Sequence, residues 1–144
     1  MGQVVVNITL ENYLDRVLSQ ENRLAAEAVR AHETSALVDS GAVMLALPRD
    51  VTEKLGLRPV RKVIVTYADE RREECEVVAP IYLTVAGRVM VTEAVTGPPL
   101  SEALVGQVIL EELDLLVDCQ RQILTPRPES PIYPSLKMKK AGEC

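Results

Sequence analysis

Alternating hydrophobic and polar positions predict a strand at the start of the chain. Residues 3–10 place Val4, Val6, Ile8 and Leu10 on one side and mostly polar residues on the other. This two-residue period is typical of a half-buried strand. In a dimeric barrel, such a strand is well placed to pair with a partner chain.

Residues 11–33 leave two interpretations open. Tyr13, Leu14, Val17 and Leu18 recur near helical spacing, and the residues that follow include strong helix formers. Pairing with other strands in the folded chain can override such propensities, so an extended segment is also possible.

The rest of the chain predicts short strands separated by turns, and one short helix. The predicted elements are a strand at 43–47, a helix from about Pro48 to Leu55 that ends at Gly56, a hairpin over 60–78, a second hairpin over 81–91, and strands at 115–118 and 121–124 that close the sheet through a turn at Cys119 and Gln120. Residues 1–127 are expected to form one domain. The prolines and lysines of residues 128–144 predict a flexible C-terminal tail.

Composition narrows the class of protein. The chain has 144 residues, 47% of them hydrophobic, with no Phe or Trp, which indicates a single aliphatic core. A net charge of -5 argues against a nucleic-acid partner. Cys75, Cys119 and Cys144 are widely spaced and suggest neither a disulfide framework nor a zinc site. No apolar run is long enough to span a membrane, so the expected location is the cytoplasm, with no membrane partner.

The most informative stretch is the apolar run that ends at Asp39. It is followed at once by Ser40, Gly41 and Ala42, residues typical of a turn at a strand end. An Asp in such a turn often bonds only its own backbone. From these four residues alone, a structural turn and a functional carboxylate are both possible.

A second motif favours the interpretation of Asp39 as a functional carboxylate. Leu104, Val105 and Gly106 are followed by a run of mostly apolar and acidic residues at 107–113. Together with residues 37–42, this motif resembles the retropepsin-like (clan AA) aspartic proteases, the family of the retroviral proteases and their cellular and prokaryotic relatives. The resemblance covers roughly residues 34–127 and is closest to small prokaryotic single-domain members, which often carry an extended hairpin in the place of residues 11–33.

The resemblance implies a fold and an activity. The fold would be a mainly β acid-protease barrel with one short helix after Val105 and Gly106, active as a symmetric homodimer. Peptide hydrolysis by carboxylates needs two of them, and this chain has one such turn, so Asp39 of each subunit would form the catalytic dyad around an activated water. The implied partners are a second copy of the chain and a peptide or protein substrate, with no cofactor and no metal.

The resemblance also assigns roles to the residues around Asp39. Ser40 would hydrogen-bond across the dimer axis, while Gly41 and Ala42 would complete the active-site turn. The second motif, Leu104 to Gly106, would be a structural bracket beneath that turn.

The hairpin over residues 60–78 would be the flap that covers a bound peptide. Its tip contains Asp69 and Glu70, and Glu70 stands where relatives usually carry Gly. A side chain there resists the positive φ that such a turn requires.

Two other functions stay open on the sequence. A retropepsin-fold dimerisation or peptide-binding module could use the same fold without catalysis, and a monomeric barrel could contain Asp39 in an incidental turn. The remaining titratable residues suggest less: His32 is interpreted as a surface histidine, and the acidic residues at 69–76 are interpreted as a solvated hairpin face. The acidic residues at 111–114 are likewise expected to form a solvated helix edge rather than a metal site.

Overall fold

The computed structural model of the chain describes residues 3–138, which are mainly β-structure. The strands are β1 (Val5–Asn12), β2 (Ala31–Val38), β3 (Leu45–Pro48), β4 (Arg58–Thr66), β5 (Arg72–Val85), β6 (Arg88–Gly97), β7 (Ala103–Val105), β8 (Leu115–Asp118) and β9 (Ile123–Pro126). The helices are α1 (Tyr13–Gln20), α2 (Arg49–Lys54) and α3 (Gln107–Glu112), with one short 3-10 helix at Ala26–Ala28.

Six of the strands close into a barrel. The order in this sheet is β1-β2-β7-β3-β6-β5-β4, and β1 also pairs with β5, so that β4 is the strand of this sheet that lies outside the closed ring. The predicted mainly β barrel is therefore confirmed, as is the short helix that follows Val105 and Gly106. Closure hides strand edges that would otherwise pair with other chains.

The first strand was expected to pair with a partner chain, but it pairs with two strands of its own chain. β1 pairs with β2 along residues 5–11 and with β5 along residues 8–12. The prediction that this strand pairs with a partner chain is therefore wrong for residues 8–12, because both of their edges are already hydrogen-bonded within the barrel.

An aliphatic core fills the barrel, as the composition predicts. Alternate side chains of the strands point inward, and several of them are completely buried, among them Ile8, Leu10, Leu45, Leu83 and Val85. Burying one such side chain stabilises the fold by about 1.5–3 kcal/mol. The β-branched and leucine residues of the sequence thus account for most of the driving force toward this barrel.

One long strand serves both predicted hairpins. β5 pairs with β4 through its first half and with β6 through residues 77–85, and its register with β6 shifts between Val78 and Ile81. The turn into β6 uses Ala86 and Gly87, both with positive φ, of 49° and 78°. Two consecutive left-handed residues are typical of a tight hairpin turn.

The segment 11–33 contains a helix, in agreement with the helical interpretation of its first part. The Asp15 N–H donates to Asn12 Oδ1 at 3.1 Å, and the Asn12 amide donates to the Leu55 carbonyl at 2.9 Å. The Arg30 guanidinium donates to the buried Asp15 carboxylate from Nε at 2.8 Å, and this hydrogen bond lowers the Asp15 pKa. The segment is therefore anchored to the barrel by buried polar groups.

The last two strands form a sheet of their own, which corrects the prediction that they close the main sheet. β8 pairs only with β9, antiparallel, with Leu115 opposite Pro126. The return strand also begins at Ile123 and not at residue 121. Asp118 Oδ1 accepts hydrogen bonds from the N–H groups of residues 120 and 121, which lengthens the turn.

Asp114 corrects the expectation of a solvated helix edge, because its side chain is buried. Its carboxylate accepts hydrogen bonds from the Ser130 hydroxyl, from the Ser135 N–H at 3.0 Å and from Arg127 Nε at 2.9 Å. The buried Arg88 guanidinium donates to the Asp114 carbonyl at 3.0 Å and to the Ser130 carbonyl.

These contacts tie down the first part of the predicted flexible tail. Ser130 and Ser135 connect residues 128–135 to Asp114, which lies two residues after the end of α3. The last six residues of that prediction, 139–144, lie outside the described residues. Among the helices of residues 3–138, none has the length and apolar character needed to cross a membrane.

The Asp114 contacts predict that the fold loses stability in acid. Hydrogen bonds, foremost that from Ser130, lower the Asp114 pKa from 3.8 to about 2. A carboxyl whose pKa is lower in the folded state stabilises the fold fully above its unfolded pKa, and this stabilisation is lost as the pH falls through the folded value. We expect the urea concentration at the unfolding midpoint of the wild type to decrease as the pH is lowered from 4 to 2.

The matching variant is Asp114→Asn, which carries no charge to lose. Its urea midpoint should be lower than that of the wild type at pH 5, and it should depend less on pH between pH 4 and pH 2. Equal pH dependence in the two proteins would contradict the assignment of this charge to the fold's stability.

Candidate active site

The active-site turn, residues 39–42, begins where β2 ends. β2 runs parallel to β7, and the register pairs Val38 with Val105. The Asp39 N–H extends this pairing by donating to the Val105 carbonyl at 3.0 Å. The backbone of Asp39 is thus fixed to the barrel, while its side chain stays partly exposed.

Two hydrogen bonds close the turn itself. The Ala42 N–H donates to the Asp39 carbonyl at 3.0 Å, and the Gly41 N–H donates to Asp39 Oδ1 at 2.9 Å. One carboxylate oxygen therefore has the structural role that an Asp in a turn commonly has. The other oxygen, Oδ2, accepts no hydrogen bond from the residues that the structure describes.

The two residues after Asp39 are exposed, which leaves the turn open to an approaching molecule. Ser40 and Gly41 are both solvent-exposed, whereas Ala42 is partly buried. A Cβ added to Gly41 would lie 3.2 Å from Asp39 Oδ1. A side chain at this position would therefore crowd the carboxylate.

The second motif lies directly beneath the turn. β7 lies between β2 and β3, with Leu104 opposite both Leu37 and Ala46. Gly106 follows at the point of closest approach: a Cβ there would lie 2.6 Å from the Met44 carbonyl oxygen. It would also lie 2.8 Å from the Ala42 carbonyl oxygen. Only glycine allows the two backbones to pack this closely.

The start of α3 completes the support. The Gln107 N–H donates to the Ala42 carbonyl at 2.8 Å, and the Val108 N–H donates to the Val43 carbonyl at 2.9 Å. The first N–H groups of a helix have no partner within the helix. Here the carbonyls of the active-site turn accept from them, so the helix and the turn hold each other in place.

The predicted flap is a hairpin of β4 and β5, and Glu70 at its tip has a left-handed backbone conformation. Glu70 has a φ of 66°, and its N–H donates to the Tyr67 carbonyl at 2.9 Å. The Arg71 N–H donates to Asp69 Oδ1 at 3.0 Å. A non-glycine residue in this conformation costs roughly 1–2 kcal/mol. The hydrogen bonds across the tip hold Glu70 in a conformation that its side chain disfavours.

The other titratable residues noted in the sequence lie in ordinary surroundings. His32 Nδ1 is 3.0 Å from Lys54 Nζ, and partial burial followed by that lysine's charge lowers the His32 pKa. On the flap hairpin, Lys62 pairs with Glu74 at 3.1 Å, and both side chains are exposed. Contacts of this kind are typical of polar side chains on a protein surface.

Sequence reasoning missed the buried cluster of Arg88, Asp114 and Ser130, which lies beyond the C-terminal end of α3. The cluster holds the C-terminal end of α3, and the first residues of α3 hold the active-site turn. One signal was available: the two-residue period of β6 puts Arg88 on the same face as the buried Met90. A charge on a buried face requires partners.

A family model described as aspartyl protease matches residues 28–110, which is more than half of the chain and includes both the active-site turn and residues 104–106. None of the curated proteins searched matches the chain.

The close contact at Gly106 predicts a large effect of a single methyl group. Gly106→Ala should destabilise the protein by about 3 kcal/mol, because the added carbon overlaps backbone atoms that cannot move without moving the active-site turn. Urea unfolding gives the free energy directly.

Gly87→Ala is the matched control. At Gly87 a Cβ meets nothing within 4 Å, and only its φ of 78° disfavours a side chain. We expect a loss of about 1 kcal/mol there. If the two variants lose the same stability, the proposed overlap beneath the turn is wrong.

Proposed function

The chain belongs to the aspartyl protease family, and we propose that it is an aspartic endopeptidase whose active site is shared between two copies of the chain. The observation that supports this most strongly is the position of Asp39. Its backbone is locked to the barrel by the Val105 carbonyl, while the neighbouring Ser40 and Gly41 are exposed.

The proposed chemistry requires a second carboxylate. One carboxylate takes a proton from water, and another carboxyl group gives a proton to the carbonyl oxygen of the peptide. Two carboxyl groups about 3 Å apart share a single proton, because both cannot be ionised at that distance. The chain has one Asp-Ser-Gly turn, so the second group is Asp39 of a partner chain, and the two chains are related by a two-fold axis.

The steps of hydrolysis follow from this arrangement. The ionised Asp39 removes a proton from the bound water as the water oxygen attacks the peptide carbonyl carbon, and the protonated Asp39 of the partner gives its proton to the carbonyl oxygen. Asp39, now protonated, then gives its proton to the peptide nitrogen, while the ionised Asp39 of the partner takes a proton back from one hydroxyl of the tetrahedral carbon. The C–N bond breaks, and an acid and an amine are released. The hydrogen bond from the Gly41 N–H keeps Asp39 Oδ1 in place throughout.

The surrounding elements have supporting roles in this proposal. Ser40 hydrogen-bonds across the two-fold axis and joins the two active-site turns. The hairpin of β4 and β5 closes over an extended peptide. The outer strand β4, which pairs only with β5, has a free edge for main-chain contacts with that peptide. Leu104, Val105 and Gly106 support the turn without contacting the peptide.

We also propose that the enzyme works in the cytoplasm. Cys75 and Cys119 are both free thiols, and Cys75 is buried in the hairpin of β4 and β5. Thiols that remain unpaired are usual in a reducing compartment.

The proposal predicts that Asp39→Asn abolishes proteolysis. The amide can still accept the Gly41 N–H, so the turn should keep its shape, but it cannot take a proton from water. Cleavage of an unfolded protein substrate between pH 4 and pH 8 should fall at least about 100-fold. Sedimentation should show that the variant and the wild type have the same oligomeric state.

Asp50→Asn is the matched control, because Asp50 is also an exposed aspartate that accepts a backbone N–H, from Leu100 at 2.8 Å. It should cleave at the wild-type rate. Full activity of Asp39→Asn would rule out the proposed dyad. A dimer that binds the peptide and leaves it intact in both variants and the wild type would instead identify a peptide-binding module.

A further inference from the structure

One buried side chain connects the start of β6 to the far end of α3. Arg88 is the first residue of β6 and is 6% exposed. Its Nη1 donates to the Leu113 carbonyl at 2.9 Å and to the Asp114 carbonyl at 3.0 Å, and its Nη2 donates to the Ser130 carbonyl. All three acceptors are main-chain oxygens, so the guanidinium fixes the backbone where α3 ends.

α3 needs a partner at this end. The helix comprises only Gln107–Glu112, and an isolated helix of this length is not stable in water. The last carbonyl groups of a helix have no partner within the helix, and they carry the negative end of its dipole. Ile109 and Leu110 hold one face of the helix against the core. The positive guanidinium of Arg88 holds its C-terminal end.

The opposite end of α3 holds the active-site turn. The Gln107 N–H donates to the Ala42 carbonyl at 2.8 Å, and the Ala42 N–H donates to the Asp39 carbonyl at 3.0 Å. Hydrogen bonds therefore connect the first residue of the helix to the backbone of Asp39. A shift of α3 would move that backbone with it.

β6 also supports the turn along a second route. β3 begins at Leu45, shortly after the active-site turn, and Leu45 pairs with Ala94 of β6. The turn is thus connected to β6 through β3 on one side, and through α3 and Arg88 on the other. The first route consists of main-chain pairing, whereas the second depends on one side chain. A single substitution at Arg88 would therefore release one of the two supports.

The proposed chemistry is sensitive to such a release. Under the proposed function, the two Asp39 carboxyl groups share a proton because they lie about 3 Å apart. A displacement of about 1 Å, caused by a change far from the reacting atoms, can lower an enzymatic rate about 100-fold. A residue that fixes α3 can therefore change the rate without contacting the peptide.

From these contacts we propose that Arg88 is a positioning residue for the dyad: it fixes the C-terminal end of α3 and so sets the separation of the two Asp39 carboxyl groups. This inference rests on the proposed function, because the separation matters only if two chains share one active site. It adds a residue of β6 to those that determine the rate of cleavage.

Arg88→Met tests the proposal, and Arg30→Met is its matched control. Methionine fills part of the same volume but donates no hydrogen bond. Arg30 also donates to a buried acceptor, the Asp15 carboxylate, from Nε at 2.8 Å and from Nη2 at 3.1 Å, but the whole of β2 separates it from Asp39. We expect Arg88→Met to lower kcat at least about tenfold with KM changed less than about twofold. Arg30→Met should leave both unchanged.

The pH dependence of cleavage distinguishes a positioning role from a loss of folded protein. Two carboxyl groups that share a proton titrate at widely separated pH values, and activity is lost on the alkaline side when the shared proton leaves. If the groups move apart, they repel each other less and the shared proton leaves at lower pH. Arg88→Met should therefore lose activity at a lower alkaline pH than the wild type. A smaller folded fraction would lower the rate at every pH instead.

The charge of Asp114 does not confuse this measurement. Hydrogen bonds from Ser130, Ser135 and Arg127 lower the Asp114 pKa to about 2, so the carboxylate stays ionised between pH 4 and pH 8. Arg127 pairs with Asp114 at 2.9 Å and is the other charged residue of the cluster. A change in the alkaline limit therefore reports on the dyad.

Arg88→Lys is the second variant, and it carries the test if Arg88→Met does not fold. Lysine keeps the charge but lacks the planar fork that reaches three carbonyls at once. Its kcat and its alkaline limit should be lower than those of the wild type, by less than in Arg88→Met. A folded Arg88 variant with the kcat and the alkaline limit of the wild type would overturn the positioning role.

Amide signals in ¹H–¹⁵N NMR spectra separate this proposal from the proposed function. The Ala42 and Gln107 signals should shift in both Arg88 variants and stay in place in Arg30→Met. Shifted signals in a protein that never cleaves a substrate would support the connection from Arg88 to the turn and reject the peptidase. Unshifted signals with unchanged cleavage in the Arg88 variants would support the peptidase and overturn the role of Arg88.

Discussion

The close approach of two backbones at Gly106 is the constraint on which the site depends. The glycine lets the end of β7 lie directly beneath the active-site turn, where a Cβ would come within 2.6 Å of the Met44 carbonyl oxygen. This approach brings the Val105 carbonyl to the Asp39 N–H and the start of α3 to the Ala42 carbonyl. The position of the carboxylate is therefore set by main-chain hydrogen bonds, which restrict its backbone more strongly than side-chain packing alone would.

Under the proposed function, the same construction gives each chain one half of an active site. The barrel positions one carboxylate, and its turn presents exposed Ser40 and Gly41 to the outside. Proton exchange between two carboxyl groups requires a second one within a few ångströms. In the proposed two-fold dimer, the identical turn of a partner chain would supply it.

Local patterns in the sequence were enough to predict most of the strands around the core and the turn at Asp39, because each depends on neighbouring residues. The family resemblance predicted the helix after Gly106. The features that were missed depend on contacts between distant residues. The buried Asp114 accepts hydrogen bonds from residues that return to it in the segment 127–135, and β8 and β9 pair with each other and not with the barrel. Glu70 adopts a positive φ that its residue type disfavours, because the hydrogen bonds of the hairpin hold it there.

The most direct test of a shared dyad is a subunit-mixing experiment. Wild-type and Asp39→Asn chains are unfolded together, refolded at a constant total concentration, and assayed for cleavage over a range of ratios. If each active site needs Asp39 from both chains, activity follows the square of the wild-type fraction, so that an equal mixture retains about a quarter of the activity. Activity that falls in direct proportion to the wild-type fraction would show that one chain is sufficient and would contradict the shared site.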